Sequence, residues 1–498
     1  MESYGVLSLL PPILAIILAI RTKQVYISLL VGIWLGWVIL DDWNILTGSL
    51  DTIQALVDVF SDPGNTRTIM FCALVGALIL FIQRSGGVEG FILRINNQLE
   101  QLAGEVPGRQ RKWVQFFAWL TGMILFVESS ISVLTVGALF RPVFDRLGIP
   151  REKLAYIADS SSAPSSILIP LNGWGAYLMG LLALAGFDNP FGMMLKSMVF
   201  NFYPVLALLL VLYIIFSEWD FGPMAKAERR ARDEGKLFAD DAAPMVSEEL
   251  TAVDVKPGVQ AKAFNMILPI AFMVVMMPIM LIYTGWNEAL QSIDTDTPLS
   301  QFLFLAIGKG SGSTAVLVAV TAAILFAMIL YRVQGIFQWK EMVDLSLKGI
   351  AGLMPLALLM LLAFAIGGVC KQLHTGQYVA DLASQWLSPA LVPTIVFMIS
   401  CFIAFATGTS WGTFAIMMAI AIPMAEQMDA NIYMVIAAVM GGGVFGDHCS
   451  PISDTTILSS MASASDHIDH VKTQLPYALF AGAGAAILYL ILGIVMHS

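Results

Sequence analysis

The sequence predicts an all-α polytopic membrane protein built from two inverted repeats. Each repeat has five transmembrane helices, one of them broken, and one re-entrant hairpin. Three observations lead to this fold class. Of the 498 residues, 58% are hydrophobic and 12% are charged, a composition that soluble domains of this length do not show. Long apolar segments recur along both halves of the chain, and polar runs interrupt them at similar places in each half.

Ten apolar segments are long enough to cross a bilayer. In the first half they cover about residues 4–20, 25–40, 68–84, 154–186 and 192–217. In the second half they cover about residues 263–284, 312–331, 349–370, 431–464 and 473–496.

Two further segments, 113–140 and 390–425, each carry two apolar arms around a polar tip. The arms have about 12–16 residues, which is short for a crossing. We therefore interpret both segments as re-entrant hairpins, which surrounding protein must shield from lipid. The polar tip residues are Glu128, Ser129 and Ser130 in the first hairpin and Thr407, Thr409 and Ser410 in the second.

Two of the crossing segments contain polar runs at membrane depth. Segment 154–186 is interrupted at 159–166, and segment 431–464 at 447–456. An aspartate at the centre of a membrane helix costs about 2.5–3.5 kcal/mol on insertion scales, and Pro451 frees a backbone carbonyl. We predict broken helices whose unwound middles line a polar site. The polar residues of the two runs include Asp159, Ser160, Asp447, His448, Ser450, Ser453, Asp454 and Thr455.

The distribution of Lys and Arg predicts the topology. If the hairpins do not cross, the amino terminus lies outside, and the predicted cytoplasmic loops hold 22 of the 26 basic residues. The linker 218–262 between the halves is then cytoplasmic, and we interpret it chiefly as a solvated tether. The predicted cytoplasmic loops are 21–24, 84–112, 141–153, 218–262, 332–348 and 465–472.

The two halves resemble each other in sequence. The segment 71–87 is similar to 359–376. The polar run around Asp159 aligns with the run around Asp447 at an offset of 288 positions. Five crossings per repeat is an odd number, so the second copy must be inverted relative to the first. Discontinuous helices in an inverted repeat are typical of secondary transporters. We assign the first repeat to 1–217 and the second to 263–498.

The tips and breaks should meet near the pseudo-two-fold axis, where their carboxylates and hydroxyls carry no Lys or Arg among them. Such a site favours a cation over an organic anion, which would gain from a basic partner. Na⁺ is a hard ion that should prefer carboxylate, hydroxyl and carbonyl oxygens. Crowded buried acids also hold protons, so Na⁺ and H⁺ would compete. We expect Na⁺ at Asp447, Asp454, Thr407 and Ser410, with no cofactor.

Structural roles remain open for several of these residues. Asp447, Asp454 and Asp159 could each cap a helix that restarts nearby. His448 could titrate near neutral pH or be a hydrogen-bonded structural imidazole. We interpret His467 and His470 as a solvated cluster at the cytoplasmic end of a helix.

At GTSWGT (408–413) and GDHCSPISDTT (446–456) the chain resembles the NhaC-type sodium/proton antiporter family and its wider ion-transporter relatives. The resemblance implies Na⁺/H⁺ exchange by an elevator-like motion of a transport domain against a scaffold. It places the ion site at Thr407–Ser410 and Asp447–Asp454, and it implies a homodimer. The protein would then lie in the plasma membrane, the inner membrane of a bacterium.

The leading hypothesis is therefore a Na⁺/H⁺ antiporter in the lipid bilayer. The alternative is a Na⁺- or H⁺-coupled exchanger of a small organic acid or amino acid. In that case the serine tips and helix N-termini would bind the carboxylate of the solute. An enzyme is not expected, because the adjacent His448 and Cys449 point apart and no phosphate-loop motif is complete. The sequence has no basic stripe that could bind nucleic acid, so no nucleic-acid partner is expected.

Overall fold

The computed structural model is helical throughout the part of the chain that it describes. It describes residues 4–22, 24–91, 93–94, 107–126, 129–170, 172–240, 242, 255–291, 299–385, 387–451 and 453–497. Within those ranges there is no β-strand, and the predicted all-α class is confirmed.

The helices follow one another with short connections in both halves. In the first half and the linker they are α1 (Leu10–Thr22), α2 (Val25–Leu40), α3 (Ile45–Asp58), α4 (Pro63–Arg84), α5 (Pro107–Ile124), α6 (Ser129–Arg146), α7 (Arg151–Ser160), α8 (Ala163–Leu168), α9 (Gly173–Leu184), α10 (Pro190–Met198), α11 (Phe202–Ser217) and α12 (Gly222–Glu234). In the second half they are α13 (Phe264–Gln291), α14 (Leu299–Lys309), α15 (Gly312–Val333), α16 (Trp339–Gln372), α17 (Thr375–Ser384), α18 (Val392–Thr407), α19 (Ser410–Gln427), α20 (Ile432–Cys449), α21 (Asp454–Ser463) and α22 (His467–His497).

By length and composition, 8 described segments can cross a membrane, and the bent α7–α9 stretch would make a ninth. The bend is 41°, and it falls in the predicted broken helix. Seven of the eight coincide with predicted crossings. The eighth, Pro389–Thr407, is the first arm of the predicted second hairpin, and the helices Gly5–Leu18 and Tyr26–Leu40 are shorter than the rest.

The predicted boundaries were wrong in three respects. The span 192–217 is divided between α10 and α11, because the ring of Pro204 would clash with the Phe200 carbonyl in a continuous helix. The hairpin arms have 16–18 residues, since they continue into their polar ends. The short helices α3, α14 and α17, of 10–14 residues, were not predicted.

The helices pack into two bodies. In one, α2, α4, α13, α15 and α16 lie together, and α4 crosses α16 so closely that a Cβ at Gly76 would lie 2.2 Å from the Gly349 carbonyl oxygen. In the other, the hairpin helices α5, α6, α18 and α19 surround the broken helices α7–α8 and α20–α21, together with α22. Helix α9 lies between the two bodies, because it contacts α4, α15 and α16 as well as α19. The second body contains both predicted hairpins and both predicted breaks.

Four of the predicted cytoplasmic loops meet at one end of the bundle, together with Ala464, which directly precedes a fifth. Basic side chains and backbone groups of each loop bond to the next, so the grouping that the positive-inside rule requires is present. The linking hydrogen bonds run from Arg111 to Leu147, from Arg151 to Leu237 and Ala464, and from Lys256 to Arg84 and Ile336. Which face of the membrane this end occupies stays a prediction.

The first part of the linker is docked against the bundle, which corrects its interpretation as a solvated tether. One face of α12 is buried at Met224, Ala227, Glu228 and Ala231. Lys153 of α7, 3% exposed, donates to Asp220 at 2.7 Å and to Glu228 at 2.8 Å. A lysine between two carboxylates is stable in such a buried place because each charge is paired.

Candidate functional site

The tip of the second hairpin and the second helix break form one polar pocket. Helix α18 ends at Thr407, and Gly408 with φ of 70° turns the chain into α19. Glycine suits this left-handed position because it has no Cβ. The hydroxyl of Ser450, just after α20, donates to the Phe405 carbonyl oxygen at 2.7 Å. This bond fastens the unwound chain to the hairpin tip.

Asp447 lies at the centre of this pocket and is 2% exposed. The Ser410 hydroxyl donates to its Oδ2 at 2.8 Å, and the Ser453 hydroxyl donates to its Oδ1 at 2.6 Å. Ser453 lies 3.1 Å from the Thr455 hydroxyl, so either atom can donate to the other. One carboxylate and several hydroxyl oxygens are thus collected from the hairpin tip and both sides of the break.

Small residues bring α20 against its neighbours at this depth. A Cβ on Gly446 would lie 2.2 Å from the Phe405 backbone nitrogen, and one on Gly442 would lie 2.6 Å from the Ser400 Cβ. Close helix approach through glycines is common in membrane proteins. The glycines therefore place Asp447 next to the hairpin tip.

The first half repeats this arrangement with different side chains. Helix α7 ends at Ser160, and the chain bends again between α8 and α9. The Ser166 hydroxyl and the Asn172 amide both donate to the Phe126 carbonyl oxygen, at 3.1 Å and 2.9 Å. Phe126 lies two positions before Glu128 of the predicted first tip, so in each half a serine of the broken helix donates to a phenylalanine carbonyl oxygen of the hairpin.

The two broken helices meet at His448. Its Nε2 lies 2.8 Å from the Ser160 hydroxyl, a contact between residues 288 positions apart, and its Nδ1 lies 2.7 Å from the Tyr203 hydroxyl. Both ring nitrogens therefore have hydroxyl partners. The expectation that the two breaks lie together is met by this contact.

Asp159 occupies a separate polar cluster on the other side of His448. Its Oδ2 accepts from the Gln474 amide at 2.7 Å and lies 3.4 Å from His470 Nε2. The same Gln474 amide donates to the His448 carbonyl oxygen. His470 is 0% exposed, so its interpretation as part of a solvated cluster was wrong.

Tyr203, His470 and Gln474 were missed as site residues. A tyrosine near a helix start and a His and Gln beside charged residues are all typical of membrane interfaces. The one available signal was spacing, because His470 and Gln474 are four residues apart and share a helix face. That face points inward, toward α7.

The predicted site residues fall into three groups. One group takes part in the hydrogen bonds described above, and its members are Asp159, Ser160, Ser410, Asp447, His448, Ser450, Ser453 and Thr455. Thr407 bonds back to the Ile403 carbonyl oxygen at 2.8 Å, and the Thr409 carbonyl oxygen accepts from Thr413 at 2.9 Å. Ser129 is buried on α6. Glu128 and the side chains of Ser130 and Asp454 lie outside the described residues.

An aromatic cluster lies beside the second hairpin tip. The rings of Trp174 and Trp411 have centroids 4.9 Å apart, and the Tyr177 hydroxyl donates to the Trp411 carbonyl oxygen at 2.7 Å. Further along the same helices, α9 and α19 line a cavity of 240 Å³ that also reaches Lys371 and Glu426. Along α19, Trp411 lies between Ser410 and the first residue that lines the cavity, Ala415.

The pocket suits a hard cation. The segments that form it, 405–410 and 446–456, contain no Lys or Arg. Within the described residues there is no group of three or more His, Cys, Asp or Glu side chains that could hold a metal ion, so the ligands here are one carboxylate and hydroxyl oxygens. A single carboxylate among hydroxyls resembles the oxygen sites of hard ions.

A multi-pass helical bundle, two broken helices and a buried carboxylate pocket define a secondary transporter. The sequence profile of the Na⁺/H⁺ antiporter family matches residues 174–494. An uncharacterised protein of Haemophilus influenzae is 32% identical over 502 aligned positions, 99% of this chain and 91% of that protein. The chain belongs to the Na⁺/H⁺ antiporter family.

Two relatives of known activity match shorter parts of the chain. The malate-2H⁺/Na⁺-lactate antiporter of Bacillus subtilis is 32% identical over 131 residues, 23% of this chain and 28% of its own length. The arginine/ornithine antiporter ArcD of Halobacterium salinarum is 26% identical over 176 residues, 35% of this chain and 36% of its own length. Both are antiporters, and their solutes differ.

The fold is also similar to the YdaH transporter of Alcanivorax borkumensis. The TM-score is 0.56 at 15% sequence identity, covering 89% of this chain and 88% of that one. At this identity the similarity concerns the fold alone.

Proposed function

We propose that the protein exchanges Na⁺ for H⁺ and that Na⁺ binds at Asp447. The observation that carries the proposal is a carboxylate 2% exposed at a helix break, held by the hydroxyls of Ser410 and Ser453. Those hydroxyl oxygens can turn their lone pairs to a cation that binds the carboxylate. Thr407 and Asp454 are the further ligands proposed from the sequence.

Exchange follows from the charge of the pocket. An uncompensated carboxylate in the membrane interior is unfavourable by several kcal/mol, so the carrier should reorient only when a bound cation lowers the negative charge of this polar region. Na⁺ lowers it at Asp447, and H⁺ can lower it at Asp447 or at a neighbouring buried carboxylate. Because the two cargoes oppose each other's binding, alternate exposure of the pocket yields antiport.

We further propose that the second body, with its hairpins and broken helices, moves against the first as an inverted-repeat transport domain. In both halves a serine of the broken helix bonds to a phenylalanine carbonyl oxygen of the hairpin, Ser166 to Phe126 and Ser450 to Phe405, which supports joint movement of each hairpin with its broken helix. The contact of Ser160 with His448, at matching positions of the two halves, supports a pseudo-two-fold axis there.

Flux measurements test the exchange. The purified protein is placed in liposomes that contain a pH-sensitive dye and a preset pH gradient. Added Na⁺ alone should dissipate the gradient, and choline at the same concentration should not. A gradient that no inorganic cation dissipates would refute Na⁺/H⁺ exchange.

A second candidate function is exchange of a small organic acid or amino acid coupled to Na⁺ or H⁺. The observation that favours it is the 240 Å³ cavity, which is far larger than one ion needs, since a water molecule takes about 30 Å³ in the liquid. Lys371 and Glu426 at its border could receive a carboxylate and an amino group. The malate/lactate and arginine/ornithine relatives support the same candidate.

The same liposomes separate the two candidates. Malate, lactate, arginine and ornithine are added singly with and without Na⁺. A pH response that requires one of these solutes would favour the second function, and a full response to Na⁺ alone would favour the first.

A further inference from the structure

The cluster around Asp159 has hydrogen-bonding capacity that the structure leaves unused. Asp159, His470 and Gln474 are each 0% exposed. Within the described residues, Asp159 Oδ1, His470 Nδ1 and Gln474 Oε1 have no hydrogen-bond partner. Buried polar atoms without a partner are uncommon in native proteins and call for an explanation by function.

The charge of Asp159 has one possible counterion within hydrogen-bond reach. The hydrogen bonds and ion pairs of the described residues give this carboxylate no Lys or Arg partner, and His470 at 3.4 Å is its only ion-pair partner. An unprotonated Asp159–His470 pair would carry a net negative charge in the protein interior, which is unfavourable. One proton on the pair removes that net charge, whichever of the two side chains carries it.

The other groups near Asp159 do not supply this charge. The titratable side chains within electrostatic range on packed helices are His448, Cys449 and Tyr203. The ion pairs on those helices lie near the first turn of α7 or beyond: Arg111 and Lys153 with Glu228, Asp145 with Arg151, Arg230 with Glu152, and Lys472 with Asp469.

We propose that Asp159, His470 and Gln474 form a proton site distinct from the Na⁺ pocket, and that this site holds the exchanged proton. The proposal rests on the proposed Na⁺/H⁺ exchange and refines it. The Asp447 pocket presents hydroxyl oxygens, which suit Na⁺. The Asp159 cluster presents an imidazole, which is a proton acceptor and a poor ligand for a hard ion.

The two sites are joined through His448. Its backbone follows Asp447 directly, its carbonyl oxygen accepts from the Gln474 amide, and its ring contacts Ser160 beside Asp159. When Na⁺ binding draws Asp447 toward the ion, the adjoining His448 carbonyl moves as well. Gln474 then shifts against Asp159, so each cargo alters the binding of the other by the same factor.

Two fluxes measured on the full-length protein test this assignment. One is Na⁺-driven proton movement across liposomes, and the other is ²²Na⁺ self-exchange at equal pH on both sides, which needs no proton. His470→Gln and Asp159→Asn should lower the first roughly tenfold or more while the second changes less than about threefold. His467→Gln is the matched control, because His467 lies one turn away and bonds to Ser460 and the Pro451 carbonyl oxygen.

The outcomes separate this inference from the proposed function. If both variants lose ²²Na⁺ self-exchange while keeping the wild-type melting temperature, Asp159 belongs to the Na⁺ pocket and the inference is overturned. If both keep full proton movement, the proton binds elsewhere and the inference is also overturned. If wild-type protein shows no Na⁺-driven proton movement, the proposed function itself fails. If one variant has a lower melting temperature than the wild-type protein, the fluxes of the other variant decide the outcome.

Discussion

Asp447 and Asp159 occupy matching places in the two halves, yet their surroundings differ. Both are buried at the end of a helix that breaks. Asp447 accepts from the hydroxyls of two serines, whereas Asp159 accepts from an amide and faces an imidazole. Two buried carboxylates near helix breaks therefore offer different ligands to a cation, because their neighbouring side chains differ.

The largest effect should come from removing the charge at Asp447. We expect Asp447→Asn to lower both ²²Na⁺ self-exchange and Na⁺-driven proton movement by about 100-fold or more, because the main charge that binds Na⁺ is lost. Asp159→Asn is the matched change in the other half, and it should lower proton movement alone. An Asp447→Asn variant with wild-type turnover and Na⁺ affinity would remove the distinction between the two sites.

The hydroxyls around Asp447 should come next. Ser453→Ala removes a donor to the carboxylate, and a hydrogen bond to a charged group contributes about 1.5–3 kcal/mol. We expect the concentration of Na⁺ for half-maximal flux to rise roughly tenfold or more. Ser459→Ala, which removes a hydroxyl 2.9 Å from His470, should leave that concentration nearly unchanged. Equal shifts in the two variants would contradict separate sites.

The pH dependence of Na⁺ binding offers a third comparison. If a proton on the Asp159 cluster opposes Na⁺ binding, the apparent affinity for Na⁺ must fall as the pH falls, by at most about tenfold per pH unit. His470→Gln should flatten this dependence, and His467→Gln should keep it. Titration of Na⁺-dependent flux between pH 6 and 9 measures the slope. An unchanged slope in His470→Gln would show that the linked proton binds elsewhere.

The smallest effect should arise between the two sites, at Tyr203. Tyr203→Phe removes the hydroxyl 2.7 Å from His448 Nδ1, a neutral hydrogen bond that contributes about 0.5–1.5 kcal/mol. We expect proton movement per Na⁺ self-exchange to fall by about two- to tenfold. Tyr213→Phe, on the same helix with a side chain 55% exposed, should have no effect. Equal results in both variants would exclude His448 as the link.

Local chemistry made the helix breaks predictable from the sequence. Pro451 and the polar run around Asp447 cannot continue a membrane helix, and the break between α20 and α21 falls there. The polar tip at Thr407, Thr409 and Ser410 likewise indicated the turn between α18 and α19. Each signal lies within a few residues of the feature that it predicts.

The partners of the breaks could not be predicted in this way. Gln474 meets Asp159 across 315 positions, and Tyr203 meets His448 across 245. Such pairs depend on how whole helices pack, which apolar periodicity alone does not determine. The docking of α12 was not predicted for a related reason. Glu228 and Lys153 are charged residues that are expected in solvent, and their pairing depends on how α7 and α12 pack.

The linker holds one body at each of its ends. At one end, Asp220 and Glu228 form ion pairs with Lys153 of the second body. At the other end, the Lys256 side chain donates to Glu341 and its backbone nitrogen donates to the Arg84 carbonyl oxygen, both in the first body. If the second body moves against the first as proposed, the separation of Asp240 and Pro257, both exposed, should change. The distance between spin labels at these two positions would measure the proposed movement, and neither label would lie in a proposed ion site.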